Sequence, residues 1–328
     1  MASGIDTEWP VGYFGKLPTC GDFVRDGGHA PLMVQLDRWA EQAAELLSRD
    51  SDWKRTYDAA SPMHFAFLGS RSRTGIGGHI LASSDASGRR FPFMVATRFD
   101  VAQPLPFVAR SSLALSRPWG GMARQARLAV AADDPAPVLR ALAETRVSLS
   151  VEPTHYEAPF LDFLDLQDIG ALDRLFDDAG HGGRLAWTLP ALGLLLQPVL
   201  TGGSAQIDKG LSLPLPRDPL YRPLVAAFWL DLMGGFLGRA AFELALVLPD
   251  EPKPRLVVGF NGADGRTLHA AMDPRAAEEH LIRVDDAAWV EELVAGDYGL
   301  NRLVSFLDRD ELSLRVARKV FGETFLGT

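Results

Sequence analysis

The order of elements that most constrains the fold occurs twice in this 328-residue chain: a strand, then a helix, then a hairpin. Near the N-terminus, an apolar stretch at 11–15 predicts the strand, and apolar residues at helical spacing predict a helix over 31–47. A further strand is predicted over 63–69. The runs 77–83 and 91–99 flank a polar connector that contains glycine, which predicts a hairpin. This part of the chain therefore favours antiparallel pairing.

The C-terminal third shows the same order. A strand is predicted over 210–215, and Asp218, followed by proline, suits the start of a helix that runs through an apolar Phe-Trp pair. Segments 242–248 and 255–260 are separated by a charged, proline-containing turn and predict a second hairpin. Two further helices are expected near the end of the chain, at 286–295 and 301–321.

Between these parts the pattern is mainly helical. Alanine- and leucine-rich stretches favour helices between 112 and 144, a strand is expected at 146–151, and an amphipathic helix at 158–176. Long helices combined with antiparallel hairpins predict an α+β fold, with helices packed on a largely antiparallel, mixed sheet. The ends are strand-rich and the middle is helical. We expect three parts, of which the first and last can form one compact unit: 1–110, 111–204 and 205–328.

Composition excludes several classes of protein. The formal net charge is −9, from 33 Lys and Arg against 42 Asp and Glu. The densest basic spots, 71–73 and 89–90, are short, so we expect neither nucleic acid nor an anionic membrane surface as a partner. The most apolar stretch, 189–200, is interrupted by two prolines and is shorter than the roughly 18 residues of a membrane span. We expect it to be a buried core segment.

Cysteine usage and the first residues favour a cytoplasmic protein. Cys20 is the single cysteine, so an internal disulfide is impossible. The segment 1–8 lacks the basic and apolar regions of a signal peptide. We therefore expect a cytoplasmic location without membrane insertion.

The sequence contains only weak candidates for reactive groups. Cys20 lies near Asp22, with His29 downstream, but no cysteine-hydrolase signature surrounds it. The sequence has no Gly-x-Ser-x-Gly segment and no phosphate-binding glycine loop, and its histidines lack the spacing of metal ligands. We predict no catalytic residue, no metal and no cofactor. A hydrolase or phosphatase-like enzyme that uses Cys20, or the Asp22 and Asp85 carboxylates, is the alternative.

Two N-terminal segments, 12–24 and 83–93, are harder to explain by packing alone. Each places charged residues, glycine and proline beside hydrophobic strands. Asp22 and Asp85 can accept hydrogen bonds from backbone N–H groups in tight turns, while Arg89 pairs with a carboxylate. The same residues can also form the edge of a partner-binding surface. The sequence leaves both interpretations open.

These segments resemble the TagF (also called ImpM) family of proteins associated with type VI secretion. The first contains Gly-x-x-Gly-Lys-Leu-Pro-x-x-Gly-Asp-Phe at 12–23, and the second contains Ser-x-Asp-x-x-Gly-Arg-x-Phe-Pro at 83–92. Between them, 37–39 has the Asp-x-Trp character of the family's first helix. The resemblance covers roughly the first 110 residues, a normal domain length. Cys20 stands where the family usually has a basic or polar residue.

The resemblance implies a cytoplasmic regulator, typically a repressor, of type VI secretion assembly or firing. Such proteins act beside a Thr kinase/phosphatase pathway or independently of it, and they engage the forkhead-associated scaffold Fha. We therefore expect a non-enzymatic protein that binds a secretion component; a structural subunit of the apparatus is a further alternative. The residues expected to shape the motif loops or contact the partner are Tyr13, Phe14, Lys16, Asp22, Phe23, Asp85, Gly88 and Arg89.

Overall fold

A computed structural model describes residues 7–26, 30–202 and 207–327. These residues form ten strands and thirteen α-helices. The strands are β1 (Thr7–Gly15), β2 (Val24–Arg25), β3 (Met63–Gly69), β4 (Thr74–Leu81), β5 (Phe93–Asp100), β6 (Arg146–Leu149), β7 (Gly210–Pro214), β8 (Glu243–Pro249), β9 (Arg255–Gly259) and β10 (Leu281–Arg283). The helices are α1 (Ala30–Leu47), α2 (Trp53–Ala59), α3 (Pro104–Ala131), α4 (Ala136–Glu144), α5 (Glu157–Leu166), α6 (Ile169–Asp178), α7 (Leu185–Gly202), α8 (Arg222–Leu237), α9 (Gly265–Met272), α10 (Pro274–His280), α11 (Val290–Gly296), α12 (Tyr298–Leu307) and α13 (Leu314–Phe325).

The strands from both ends of the chain belong to one sheet. Its order is β10-β7-β9-β8-β3-β4-β5-β1-β2, and β6 pairs with β1. The antiparallel pair of β3 and β8 joins the N-terminal hairpin to the C-terminal one. Within the described strands, β10 and β7 are parallel, whereas the other pairs are antiparallel. The predicted α+β fold with a largely antiparallel, mixed sheet is therefore confirmed. The division into three parts stays a prediction.

Helices cover both faces of the sheet. Because side chains alternate along a strand, Phe65 and Phe67 of β3 enter one core, while Ala66 and Leu68 enter the other. The first core contains apolar residues of α1 and α9, and Trp39 of α1 packs its ring 5.0 Å from that of Phe65. The second and larger core contains apolar residues of α3, α7 and α8. The sheet is thus the middle layer of three.

Two helical regions in the middle of the chain differ in extent from the prediction. The separate stretches expected before residue 132 form one helix, α3, which continues through Pro118. The helix expected over 158–176 is divided, because Asp168 is extended and its side chain accepts a hydrogen bond from the N–H of Ala171. Asp168 is therefore the N-cap of α6, a role that the sequence analysis did not assign.

Differences also occur in the C-terminal third. Helix α8 begins at Arg222 and not at Asp218, whose carboxylate accepts a hydrogen bond from the N–H of Leu220 at 2.8 Å and closes a turn before the helix. The helix expected over 301–321 is two helices, and the Ser313 side chain caps the second one, α13. The short elements α9, α10 and β10 were not predicted.

The most apolar stretch of the sequence was expected to be a buried core segment, and the structure confirms this. Residues 189–200 lie in α7, where Leu189, Leu192 and Leu196 are buried. None of the helices in the described ranges combines the length and hydrophobicity needed to cross a bilayer.

Candidate functional site

The two motif segments lie side by side where β1 and β5 meet. Strand β1 ends at Gly15, which pairs with Phe93 and has a φ of 138°. This backbone conformation favours glycine. A Cβ at Gly15 would overlap the backbone oxygen of Pro92, so a side chain here would push the two segments apart. The glycine of the first motif therefore allows close contact with the end of the second.

Asp85 organises the second loop, and its side chain is fully buried. Oxygen Oδ1 accepts hydrogen bonds from the Ser87 N–H (3.0 Å), the Ser87 hydroxyl (2.7 Å) and the Arg89 N–H (3.0 Å). Oxygen Oδ2 accepts one from Arg89 Nε at 2.7 Å and lies 3.0 Å from Lys16 Nζ. Gly88, with a φ of 78°, completes the turn. One carboxylate therefore fixes the whole loop.

The same donors determine the charge of Asp85. Burial opposes its ionisation, but hydrogen bonds from Ser87, Lys16 and both the backbone and side chain of Arg89 outweigh that effect and hold the pKa of this carboxyl well below its usual range. Asp85 is therefore an anion at neutral pH with its oxygens already occupied. Such a carboxylate is a poor proton acceptor for catalysis.

The second loop is attached to the first by direct hydrogen bonds. The backbone oxygen of Cys20 accepts a bond from the Ala86 N–H at 2.9 Å. The backbone oxygen of Gly21 accepts one from Arg89 Nη2, also at 2.9 Å. Together with the Lys16–Asp85 ion pair, these bonds make the two motifs one structural unit.

An aromatic cluster formed by residues of both motifs packs within this unit. The rings of Phe14 and Phe23 stack with centroids 5.4 Å apart, and Phe91 packs edge-on against both, at 5.7 and 4.9 Å. Lys16 Nζ lies 4.9 Å from the centre of the Phe23 ring. Phe23 nevertheless remains 42% exposed, which is unusual for a ring packed on two others.

The predicted site residues separate into an internal group and a surface group. Lys16, Asp85 and Phe14 are buried, and Tyr13 is half-buried. Burial, followed by the nearby charge of Asp26, raises the pKa of Tyr13. The exposed members are Asp22, Phe23, Gly88 and Arg89. We call the exposed part of the two loops, residues 18–19, 21–23 and 86–89, the motif surface.

Helix α2 holds the far side of the second loop, a contact that the sequence analysis missed. The Tyr57 hydroxyl donates a hydrogen bond to the Ser83 carbonyl at 3.0 Å and accepts one from the Ser83 N–H at 3.1 Å. Arg90 makes two bonds to the Asp58 carboxylate, at 2.7 and 2.6 Å. The four-residue spacing of Trp53 and Tyr57 predicts this helix, but nothing in it indicates the contact partner.

The described residues of the enzymatic alternative, Cys20, Asp22 and Asp85, take part in the hydrogen bonds of the motif loops. Cys20 is half-buried in a turn, and its N–H donates to the Leu17 carbonyl at 3.0 Å. Asp22 accepts a hydrogen bond from the N–H of Phe23 at 2.8 Å. His29, the third group considered, lies outside the described residues. In the part of the chain that the structure describes, no three His, Cys, Asp or Glu side chains are placed to hold a metal ion.

Comparison with known proteins agrees with the motif geometry. Residues 12–145 match the model of the TagF N-terminal domain, described as type VI secretion system-associated. The matched part of the chain belongs to the TagF N-terminal domain family. The match contains both motif loops and extends from β1 through α4, so it reaches further than the motifs alone predicted. The protein that contains this domain is accordingly associated with type VI secretion.

Two further comparisons concern whole proteins. No curated protein matches this chain. Among solved structures, it is similar to the crystal structure of PA0076 from Pseudomonas aeruginosa PAO1, with 22% sequence identity and a TM-score of 0.34. That similarity covers 45% of this chain and 74% of the other.

Proposed function

We propose that this protein is a non-enzymatic, cytoplasmic regulator that represses type VI secretion assembly or firing by binding a component of the machinery. The partner that we propose is the forkhead-associated scaffold Fha. The observation that carries the proposal is the structure of the two motifs. Their buried residues, Lys16 and Asp85, bond to each other, and this arrangement leaves Asp22, Phe23 and Arg89 at the surface.

The chemistry of the motif surface suits binding. It presents an exposed aromatic ring, an anionic side chain and a guanidinium within one rigid unit, and aromatic and arginine side chains are enriched where interfaces gain most of their energy. A reaction would need a group with an available lone pair or proton. Asp85, the most enclosed polar group here, has neither, because five donors occupy its oxygens.

The size of the surface also supports its use in binding a protein. A typical interface covers about 800 Å² on each partner, more than two short loops provide. The motif surface continues onto α2 through Arg90, whose guanidinium lies 5.9 Å from the centre of the Trp53 ring. We therefore propose that the partner contacts both the loops and α2.

A capture experiment tests the site. Purified variants are compared for retention of Fha: Asp22→Lys reverses an exposed charge and Phe23→Ala removes the exposed ring. Arg89 is unsuitable, since its Nε also holds Asp85. The matched control is Tyr298→Ala, which removes an aromatic side chain that is 85% exposed on α12. We expect capture at least about tenfold weaker for the two motif variants. The control variant should capture Fha as well as the wild type does.

The same variants test the regulatory role in cells. Each is placed in a strain that lacks the native gene, and the release of a secreted type VI component is measured. A repressor predicts increased secretion with Asp22→Lys and Phe23→Ala, and normal secretion with Tyr298→Ala. Wild-type secretion with folded motif variants would rule out the motif surface as the regulatory site.

A further inference from the structure

A large cleft is lined by residues of α9 and α10 and by α2, the helix that also contacts the second motif loop. Its volume is about 1010 Å³, within the range of pockets that hold small organic molecules. The floor consists of strands β7, β9 and β10, represented by Ser212, Val257 and Leu281. Residues of α2 and α10 and the side chain of Trp289 also line the cleft. We call this space the C-terminal cleft.

Cationic side chains are fixed at one end of the C-terminal cleft. Arg255 makes two hydrogen bonds to the buried Asp285, from Nη1 to Oδ1 at 3.0 Å and from Nη2 to Oδ2 at 2.8 Å. Arg283 Nη2 reaches the same Oδ2 at 3.2 Å. One carboxylate therefore serves two guanidinium groups.

Lys253 adds a third cation beside Arg255 and Arg283. It lines the cleft, and no described carboxylate pairs with it within 4.0 Å. Burial, followed by the charges of Arg255 and Arg283, lowers its pKa. The ammonium is thus held in a partly desolvated place beside two arginines, where an anion would relieve the repulsion between them.

The rest of the lining is mixed. Met272, Ala277 and Leu281 present hydrophobic surface, and Arg275, Asp273 and Glu278 add charged side chains of both signs. Glu251 and Asp286 also line the space, and burial raises the pKa of Glu251. These carboxylates disfavour a ligand that carries many negative charges. Lys253 and Arg283 are the cations of the lining that can receive an anionic group.

We propose that the C-terminal cleft binds a small organic anion, whose charged head lies between Lys253 and Arg283 and whose apolar body lies along Leu281 and Met272. The head is a carboxylate, phosphate or sulfonate, since each accepts charge-assisted hydrogen bonds from ammonium and guanidinium groups. This site is separate from the motif surface, so the proposal does not depend on the proposed regulatory function.

Two dyes with the same ring system test the proposal. The dye 1-anilinonaphthalene-8-sulfonate carries the anionic head, and N-phenyl-1-naphthylamine lacks it. Fluorescence titration of the full chain is expected to show saturable binding of the sulfonate dye with about one equivalent per chain. We expect the Lys253→Ala/Arg283→Ala variant to bind that dye at least about tenfold more weakly, with the uncharged dye unaffected. Unchanged sulfonate binding would overturn the proposal.

Matched controls separate the cleft from general charge effects. The variant Arg302→Ala/Lys319→Ala removes the same charge from α12 and α13, outside the cleft, and is expected to bind the sulfonate dye normally. Ala277→Phe fills the cleft from α10 and should weaken both dyes. Thermal melts confirm that each variant is folded. We expect the loss of Arg283 to be tolerated, because its side chain is 53% exposed and Arg255 still pairs with Asp285 in the variant.

Natural classes of ligand are distinguished by displacement of the bound sulfonate dye. Adenosine monophosphate supplies a phosphate on a ring body, and decanoate supplies a carboxylate on an alkyl chain. Displacement by either supports the site and identifies the body that it prefers. If neither displaces the dye, the cleft is a dye-binding surface only and the proposal is wrong.

Discussion

Lys16 Nζ lies 3.0 Å from Asp85 Oδ2, and the two side chains are 8% and 0% exposed. Each residue belongs to a different motif, so this ion pair connects segments that are distant in the chain. Removing two charges from water is unfavourable unless they pair with each other and their other polar atoms are satisfied. Here the remaining capacity of Asp85 is filled by Ser87 and Arg89. The pair is therefore a determinant of loop structure.

Asp85→Asn is expected to lower the melting temperature and to increase hydrogen exchange in both motif loops, because the amide replaces an acceptor by a donor and leaves Lys16 without its counterion. Asp22→Asn, at an exposed position, should melt like the wild type. The pKa of Asp85 is lowered in the folded state, so its contribution to stability is present above the unfolded pKa of about 4 and is lost at lower pH. Equal melting of Asp85→Asn and Asp22→Asn would contradict this role.

Gly15→Ala is expected to destabilise the fold by about 3 kcal/mol, because the new Cβ overlaps the backbone of Pro92 and Phe93 and the φ of 138° is unfavourable for alanine. Gly21→Ala is the matched control in the same motif, since nothing lies within 4 Å of its added Cβ. Urea denaturation of the two variants measures the difference. A loss for Gly15→Ala no larger than for Gly21→Ala would show that the segments are not in close contact.

A buried histidine pair makes stability sensitive to pH. His64 of β3 and His79 of β4 are opposite each other, with their Nδ1 atoms 3.1 Å apart, and the His64 ring stacks on Trp119. Burial lowers the pKa of His64 to about 4 and that of His79 to about 3. The unfolded state therefore binds protons first, and stability falls as pH decreases from about 6.5 towards about 4.

His64→Gln tests this dependence. Urea denaturation at several pH values should show that the wild type loses roughly 2–3 kcal/mol more than the variant between about pH 7 and pH 4.5. Glutamine does not titrate, but it can keep a hydrogen bond to His79. The carboxylates are common to both proteins and cancel in the comparison. If the two proteins have the same pH slope, His64 is not protonated on unfolding in this range.

Cys20→Ser separates binding from thiol chemistry. The backbone groups of Cys20 make the turn and accept the bond from Ala86, while the thiol is free and half-buried. We expect unchanged secretion control and a change in unfolding free energy below about 1 kcal/mol. The measurement is type VI secretion in a complemented strain beside a melt of the purified variant. Lost control in a folded Cys20→Ser protein would favour the enzymatic alternative.

Local patterns predicted the long regular elements well. Strand β3 has the predicted bounds, and both hairpins form with antiparallel pairing. The elements that were missed are short: α9 and α10 have 8 and 7 residues, and each begins at an aspartate cap, Asp264 or Asp273. A helix of two turns gains little from its own hydrogen bonds, so packing against the sheet decides whether it forms. A helix of seven or eight residues is too short for its hydrophobic periodicity to be recognised in the sequence.

The sequence by itself determined the α+β class, the order of the hairpins and the similarity of residues 12–145 to the TagF N-terminal domain, because each depends on the spacing of nearby residues. Only the tertiary structure decided which motif residues are internal. Lys16 and Arg89 are both cations beside a loop, yet one is buried and the other has a side chain that is 63% exposed. The physical reason is that a charge can be buried only where a counterion from another part of the chain contacts it. The distance between these two groups in the folded protein cannot be derived from their spacing in the sequence.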